Sequence, residues 1–194
     1  VASIQAARIQ IYFIDNDDYF YRRKGVVDAN GEEYKDNDER SIFFARGVLE
    51  SVKKLRWTPN VVHCSGWMSA LTPLFLKKLY ADTPFFKDTK VILSLDDQEY
   101  TTPFSSKFSN KILGGGILNS DIRTIADLPV GYEDLMRLAI DYSDAIVLAS
   151  ENVNQRLLNY AQNSGKPILS YVGEDKQAYI DFYNSLLGKA DEEA

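Results

Sequence analysis

One histidine and one cysteine stand in the 194-residue sequence, and what is missing beside them excludes whole classes of chemistry. Without a second cysteine there is no internal disulfide, and the single thiol of Cys64 points to a reducing compartment, hence the cytoplasm. With His63 alone, no multi-histidine metal site can be built. A nucleophilic Cys/His pair would have to be these two neighbours, whose side chains point to opposite faces of a strand. No apolar run reaches the roughly 18 residues of a membrane span, and no signal peptide is visible. The sequence starts at Val1 rather than Met, so an upstream segment is expected. Positive charge is also scarce: 22 Lys and Arg against 28 Asp and Glu leave a net charge of −6. The basic residues are scattered among acids, which excludes a phosphate-tracking nucleic-acid surface.

What is present is the material of a folded domain. Apolar residues make up 45% of the chain and charged residues 26%, with 6 prolines, a balance far from that of disorder. The spacing predicts a strand over Ala7 to Asp15, with Ile9, Ile11 and Phe13 on one face. Arg22 to Glu39 reads as a surface loop turning at Asn30-Gly31. A helix should follow, with Ile42, Ala45, Val48, Val52 and Leu55 as its apolar stripe and Asp36/Glu39 as its capping pair. Asn60 to Cys64 reads as a short buried strand, Trp67 to Tyr80 as a helix that tolerates Pro73 near its start, and Val91 to Leu95 as the next strand. About 30 residues per unit is the spacing of a parallel crossover. Gln98 to Leu128 reads as irregular and mobile, with Gly114-Gly115-Gly116 as a flexible linker. Then come a helix (Tyr132 to Ser143), a strand (Ala145 to Ala149), a helix (Asn152 to Asn163), a strand (Ile168 to Val172) and a closing helix (Gln177 to Leu187) ended by Gly188. The alternation predicts an α/β fold with a doubly wound, mostly parallel, Rossmann-like sheet of about five strands. Residues 1–188 form a single domain in this reading, and 189–194 a frayed tail. Sheets of this kind bind ligands beyond the carboxyl ends of their strands, which directs attention to the residues after Cys64, Leu95 and Ala149.

Five stretches carry a family resemblance. Phe13-Ile14-Asp15 with Tyr19-Phe20 and Arg22 fits "F-L-D-x-x-x-Y-F-x-R". Tyr34-Lys35-Asp36-Asn37-Asp38-Glu39-Arg40 is similar to "Y-x-D-N-x-x-R-F". Trp57 to Leu71 (WTPNVVHCSGWMSAL) resembles "W-x-P-D-I-V-H-x-H-D-W-x-T-A-L". Lys90 to Phe104 (KVILSLDDQEYTTPF) resembles "K-x-V-F-T-I-H-N-L-A-Y-Q-G-x-F", and Asp144 to Ser150 fits "D-x-I-x-x-V-S". These are motifs of the bacterial glycogen and starch synthases, glycosyltransferase family 5, in that family's order. The resemblance implies the N-terminal lobe of a two-lobed GT-B glycosyltransferase, here lacking its first strands. It implies glucose transfer from a nucleotide-glucose such as ADP-glucose to an α-1,4-glucan, with no metal and no other cofactor. The implied partners are the α-glucan, the nucleotide-sugar and a separate C-terminal donor domain or partner chain.

Carried over residue by residue, the resemblance gives a poor catalytic inventory. The "H-D-W" stretch appears as Ser65-Gly66-Trp67, so the sugar-binding aspartate is a glycine. The "I-H-N" stretch appears as Leu95-Asp96-Asp97, so Asp96 stands at the position of the family's histidine. An ionised aspartate accepts hydrogen bonds but cannot donate, and it repels a departing diphosphate. The "K-x-G-G-L" donor loop is absent from these residues. The remaining candidates for substrate binding are His63, Trp67, Tyr100 and Ser150, beside Ser65, Gly66, Asp96 and Asp97. Each has a plainer reading: His63 as a satisfied core histidine, Trp67 as packing for its helix, Asp96-Asp97 as loop formers. The expectation is therefore a synthase-like domain with weak or no activity alone, or else a non-catalytic glucan-binding or protein-interaction domain. Asp15-Asn16-Asp17 has D-x-D spacing but matches a segment that is no metal site in this metal-free family. Asp28 to Gly31 fails as a calcium loop because its glycine is misplaced.

Overall fold

A computed structural model of the protein describes residues 2–6, 9–21, 23, 25–126 and 129–188. It opens with a hairpin. Strands β1 (Ala2–Ala6) and β2 (Ile9–Phe13) pair antiparallel, with Ala6 opposite Ile9. The first predicted strand is thus shorter than Ala7 to Asp15 and does not join the main sheet; Ala7 and Arg8 lie outside the described residues. A short link permits only antiparallel pairing, which took β2 into a separate two-stranded sheet. Ile9, Ile11 and Phe13 do share a face, and that face is exposed.

The predicted surface loop follows, with Arg22 and Lys24 outside the described residues. Helix α1 (Asn37–Lys54) starts where expected, but not by the expected cap. Asp36 makes no capping hydrogen bond; its carboxylate is taken by Arg23, whose Nη1 lies 2.7 Å from Oδ1. The Glu39 carboxylate is held instead by Lys111. The helix buries Arg40, Ser41, Ala45 and Leu49, while Leu55 is 49% exposed. The predicted stripe is only partly the buried face: Ala45 is buried, Ile42 and Val52 are half-buried and packed against the core, and Leu55 at its end faces outward.

Strands β3 (Val61–Ser65), β4 (Lys90–Leu95), β5 (Ala145–Leu148) and β6 (Ile168–Leu169) pair in sequence order, all parallel. β3 is an edge strand with only Cys64 buried, which corrects its reading as a buried strand. The run after it is no single helix. A 3-10 turn over Trp67–Ser69 leads into α2 (Thr72–Lys78), because Pro73 fits only the first turn of a helix. α2 with α4 (Tyr132–Tyr142) and α5 (Gln155–Asn163) forms a layer on one face, to which α1 adds. The other face carries α6 (Lys176–Leu186), whose Tyr179, Phe182, Tyr183 and Leu186 pack on Ile92, Ala145 and Val147. This is an α/β fold with a mostly parallel sheet and flanking helices.

The stretch before α4 departs most from expectation. It holds α3 (Phe108–Ile112) and a 3-10 segment (Asn119–Ile125), and it fills the core with Phe104, Phe108, Ile112, Ile117, Ile122 and Ile125. It is irregular but packed; Asp127 and Leu128 lie outside the described residues. Gly114 to Gly116 is not a linker either. All three have positive φ, and a Cβ on Gly115 would meet Leu79 at 3.0 Å. The glycines let a tight turn press against the end of α2. The tail 189–194 lies outside the described residues. Among the described residues no helix is long and apolar enough to cross a membrane.

Candidate functional site

The carboxyl ends of β3, β4 and β5 lie side by side, and the loops that follow them form one cluster of side chains. β3 ends in Gly66, at φ 73° and ψ 157°, a region that essentially only glycine occupies. A Cβ there would lie 3.8 Å from Asp96 Oδ2 at the end of β4. The glycine thus leaves open the space in front of the Asp96 carboxylate. Asp96 Oδ1 accepts from the Gln98 amide at 3.0 Å. Burial raises the Asp96 pKa; the Gln98 amide opposes this and the Asp97 charge adds to it.

Asp97 is tied across to the end of β5. Ser150 Oγ donates to Asp97 Oδ2 at 3.2 Å and accepts from the Asn152 amide at 3.1 Å. Asn154, the N-cap of α5, donates to Glu99 Oε1 at 3.0 Å and to Glu133 Oε1 at 3.4 Å. The floor is aromatic. Trp67 is 5% exposed and meets the Tyr100 ring edge-on at 5.1 Å and Phe104 at 5.9 Å. Tyr100 stacks on Phe104 at 4.5 Å and donates its hydroxyl to the Val130 carbonyl at 2.9 Å. Trp67 therefore serves as packing, with no ring face free for a sugar. Among the described residues no three His, Cys, Asp or Glu side chains are grouped to hold a metal ion.

His63 is not brought to this cluster. It lies on β3 opposite Ile92 and turns to the α6 face. Nε2 is 2.6 Å from Ser94 Oγ and Nδ1 is 2.6 Å from Tyr183 Oη, so both ring nitrogens have partners even though the edge strand leaves the residue exposed. Desolvation of the ring lowers its pKa. Cys64 faces the opposite way, where burial pushes its thiol up to about 12, so the two neighbours form no dyad. Ser65 is exposed at the strand end, its carbonyl accepting from Ser69 Oγ.

Sequence reading missed Tyr132, Glu99 and the Asn152/Asn154 pair. Tyr132 is 5% exposed, packs edge-on against Tyr100 at 5.9 Å, and its hydroxyl has no hydrogen-bond partner. Burial, then the charges of Asp96, Glu99 and Asp97, raise its pKa. Its only sequence signal is its place at the start of a helix that precedes a strand.

A supporting layer holds the loop after β4. Glu33 accepts from the Thr101 and Thr102 amides at 2.7 and 2.8 Å, joining the loop before α1 to the loop after β4. Burial works against its ionisation, yet those amides hold its pKa below the usual range. Arg40 clamps that first loop. It lies under Phe20 and Tyr34, donates to Gly25 O at 2.7 Å, and is 2% exposed. The family-like Y-x-D-N-x-x-R stretch is thus built for structure: Tyr34, Asp36, Asn37 and Arg40 bind one another or their own loop.

Known proteins share this sequence and fold. A family model described as the starch synthase catalytic domain matches residues 1–168. The glycogen synthase of Chlorobaculum tepidum is 30% identical over 194 residues, which cover 98% of this chain and 37% of that protein. The glycogen synthase of Chlorobium limicola is 42% identical over 96 residues, 49% of this chain and 20% of the relative. Among solved structures, the catalytic domain of Starch Synthase IV from Arabidopsis thaliana bound to ADP and acarbose matches with a TM-score of 0.57 at 15% identity. That match covers 72% of this chain and 30% of the other, and it speaks to the fold alone. The chain spans well under half the length of either relative.

Proposed function

Because the chain belongs to the starch synthase catalytic-domain family, we propose that it is a glucosyltransferase lobe that holds a sugar at the ends of β3, β4 and β5 but does not transfer glucose by itself. The observation that carries this reading is the pair at the ends of β3 and β4. Gly66 has no side chain to hydrogen-bond a sugar and a backbone suited to glycine only, while Asp96 presents a carboxylate where the resemblance calls for a histidine. A carboxylate neither donates to a developing negative charge nor tolerates a departing diphosphate. Groups that do so would come from a C-terminal donor domain or a partner chain, with ADP-glucose as the donor. The ADP and acarbose of the Arabidopsis enzyme support a nucleotide-sugar or an α-glucan as the ligand class. A cytoplasmic setting fits the single buried thiol.

A second reading, a protein-interaction domain, is favoured by one feature. The outer face of α1 with Tyr12, Ile14 and Trp57 lines an apolar cavity of about 200 Å³ beside the exposed strand β2. The deciding experiment incubates this chain with glycogen and ADP-glucose or UDP-glucose. Glycogen co-sedimentation without turnover is the expected result. Robust glucose transfer by the chain alone would falsify the proposal. Neither sedimentation nor transfer would favour the protein-interaction reading.

A further inference from the structure

We propose that α6 is a strap: it releases from the sheet as a unit while the rest of the fold stays closed, its latch is the contact of Tyr183 with His63, and acid opens it. The helix is thinly held. α4 buries six residues and α5 buries Leu157 and Ala161, whereas α6 buries none. Its hold on the sheet is four half-buried side chains, Tyr179, Phe182, Tyr183 and Leu186, set on Ile92, Ala145 and Val147. Those three are fully buried, and among the described residues α6 is the only helix packed on their cluster. An element with so little buried apolar surface of its own opens at a lower free energy than the core it covers.

One polar contact fastens it. Among the described residues the hydrogen bond between Tyr183 Oη and His63 Nδ1, 2.6 Å long, is the only one that joins α6 to the sheet, and no ion pair adds to it. The edge position of β3 lets His63 reach sideways. Its Nε2 lies 2.6 Å from Ser94 Oγ on β4, which fixes the ring, and the ring stands edge-on to Tyr183 at 5.9 Å. Residues 170–174 link β6 to the helix and serve as the hinge. Ser170, Tyr171 and Glu174 are exposed, and Gly173, at φ 58°, has space around it: a Cβ there would meet nothing within 4 Å. A glycine in open space absorbs the backbone rotation that release requires.

Charge supplies the trigger. A neutral imidazole donates through one nitrogen and accepts through the other, so both hydroxyls are served. A protonated ring donates through both and must hold a positive charge inside the contact. The groups that meet it are the Ser94 hydroxyl from β4 and the Tyr183 phenol from α6. No carboxylate of β3, β4 or α6 offsets the charge, and burial works against it. Release of α6 returns the ring to water, where the charge is solvated. The open form is therefore favoured as pH falls through the unfolded value of about 6.5 toward the folded one.

Native-state hydrogen exchange, read residue by residue on this chain, tests the strap. At pH 7.5 the amides of α6 should be protected at least about tenfold less than those of β4 and β5. Tyr183→Phe keeps the ring and deletes the latch, so α6 protection should fall about 3–10-fold. Ile112→Val loosens the large core on the other face of the sheet. It should lower β4 and β5 protection about 2–10-fold and leave α6 unchanged. Between pH 7.5 and 5.5, α6 protection factors should fall severalfold, and less in His63→Gln. Loss of α6 and sheet protection by the same factor in Ile112→Val would mean that α6 opens only with the whole fold, and the strap would be overturned. Unchanged α6 protection in Tyr183→Phe would overturn the latch, and an equal acid response in His63→Gln would overturn the trigger.

Discussion

Gly66 and Asp96 face each other across the ends of two neighbouring strands, with the Asp96 Oδ2 atom 3.8 Å from the point where a Gly66 side chain would begin. A side chain at 66 is excluded by the backbone, and an acid there would also stand beside a carboxylate. Gly66→Asp should destabilise the fold by about 1–3 kcal/mol from backbone strain plus like-charge repulsion. Adding Asp96→Asn should recover part of that loss. Urea denaturation of the two single variants and the double variant measures the coupling, and strict additivity would show that the positions do not interact.

Asp96 should cost stability at neutral pH. Its pKa is higher in the folded chain than in the unfolded one, chiefly through burial, so folding is favoured below the ordinary aspartate range. That advantage is lost as pH rises through the folded pKa. Asp96→Asn should accordingly raise Tm by about 1–3 °C at pH 7 and by nothing near pH 3. Melting curves of both proteins across that range give the comparison; a variant less stable at pH 7 would contradict the sign.

His63 should make the docking of α6 sensitive to acid. Its folded pKa is lowered by desolvation, so the neutral ring is the form the fold prefers. The stability this confers is complete above the unfolded value of about 6.5 and is lost as pH falls through that value toward the folded pKa. Wild-type Tm should drop between pH 7.5 and 5.5, and His63→Gln should flatten that drop. An unchanged slope in the variant would assign the pH response to other groups.

Arg40 and Lys166 should be the costliest charged residues to truncate. Arg40→Met removes the hydrogen bonds to Gly25 and Asn37 and should cost about 1–3 kcal/mol, since it leaves the buried Asn37 oxygen unpaired. Lys166 Nζ gathers the Ile140, Asp141 and Ser143 carbonyls at 2.5–2.6 Å, at the end of α4. Lys166→Met should cost about 1–2 kcal/mol by exposing those helix-end acceptors. Chemical denaturation reads both, and losses within error of zero would mean water replaces the side chains.

The strand and helix periods carried most of the sheet. Val91 to Leu95 and Ala145 to Ala149 read as strands because both faces of β4 and β5 are covered, leaving runs that are apolar but for Ser94. What stayed hidden depended on partners distant in sequence. Nothing local in Gln98 to Leu128 shows that Phe104, Phe108 and Ile117 enter the core, because irregular backbone has no period to read. The Asp36/Glu39 cap failed because Arg23 and Lys111 claimed both carboxylates through tertiary contacts. At the site, strand-end logic directed attention to Asp96, Asp97 and Ser150, and Ser150 does hydrogen-bond Asp97. His63 shares their strand-end neighbourhood in sequence, yet its alternation points it to the other face. Tyr132 escaped notice because an unpaired hydroxyl is a property of packing, visible only once Tyr100 closes over it.

The location of the bound sugar is the most direct check. Amide chemical shifts of the labelled chain titrated with maltotriose should move at Gly66, Asp97 and Ser150, together with the Tyr132 ring resonances. Shifts confined to Val48, Leu55 and Trp57 around the cavity beside α1, with the strand ends silent, would contradict the account.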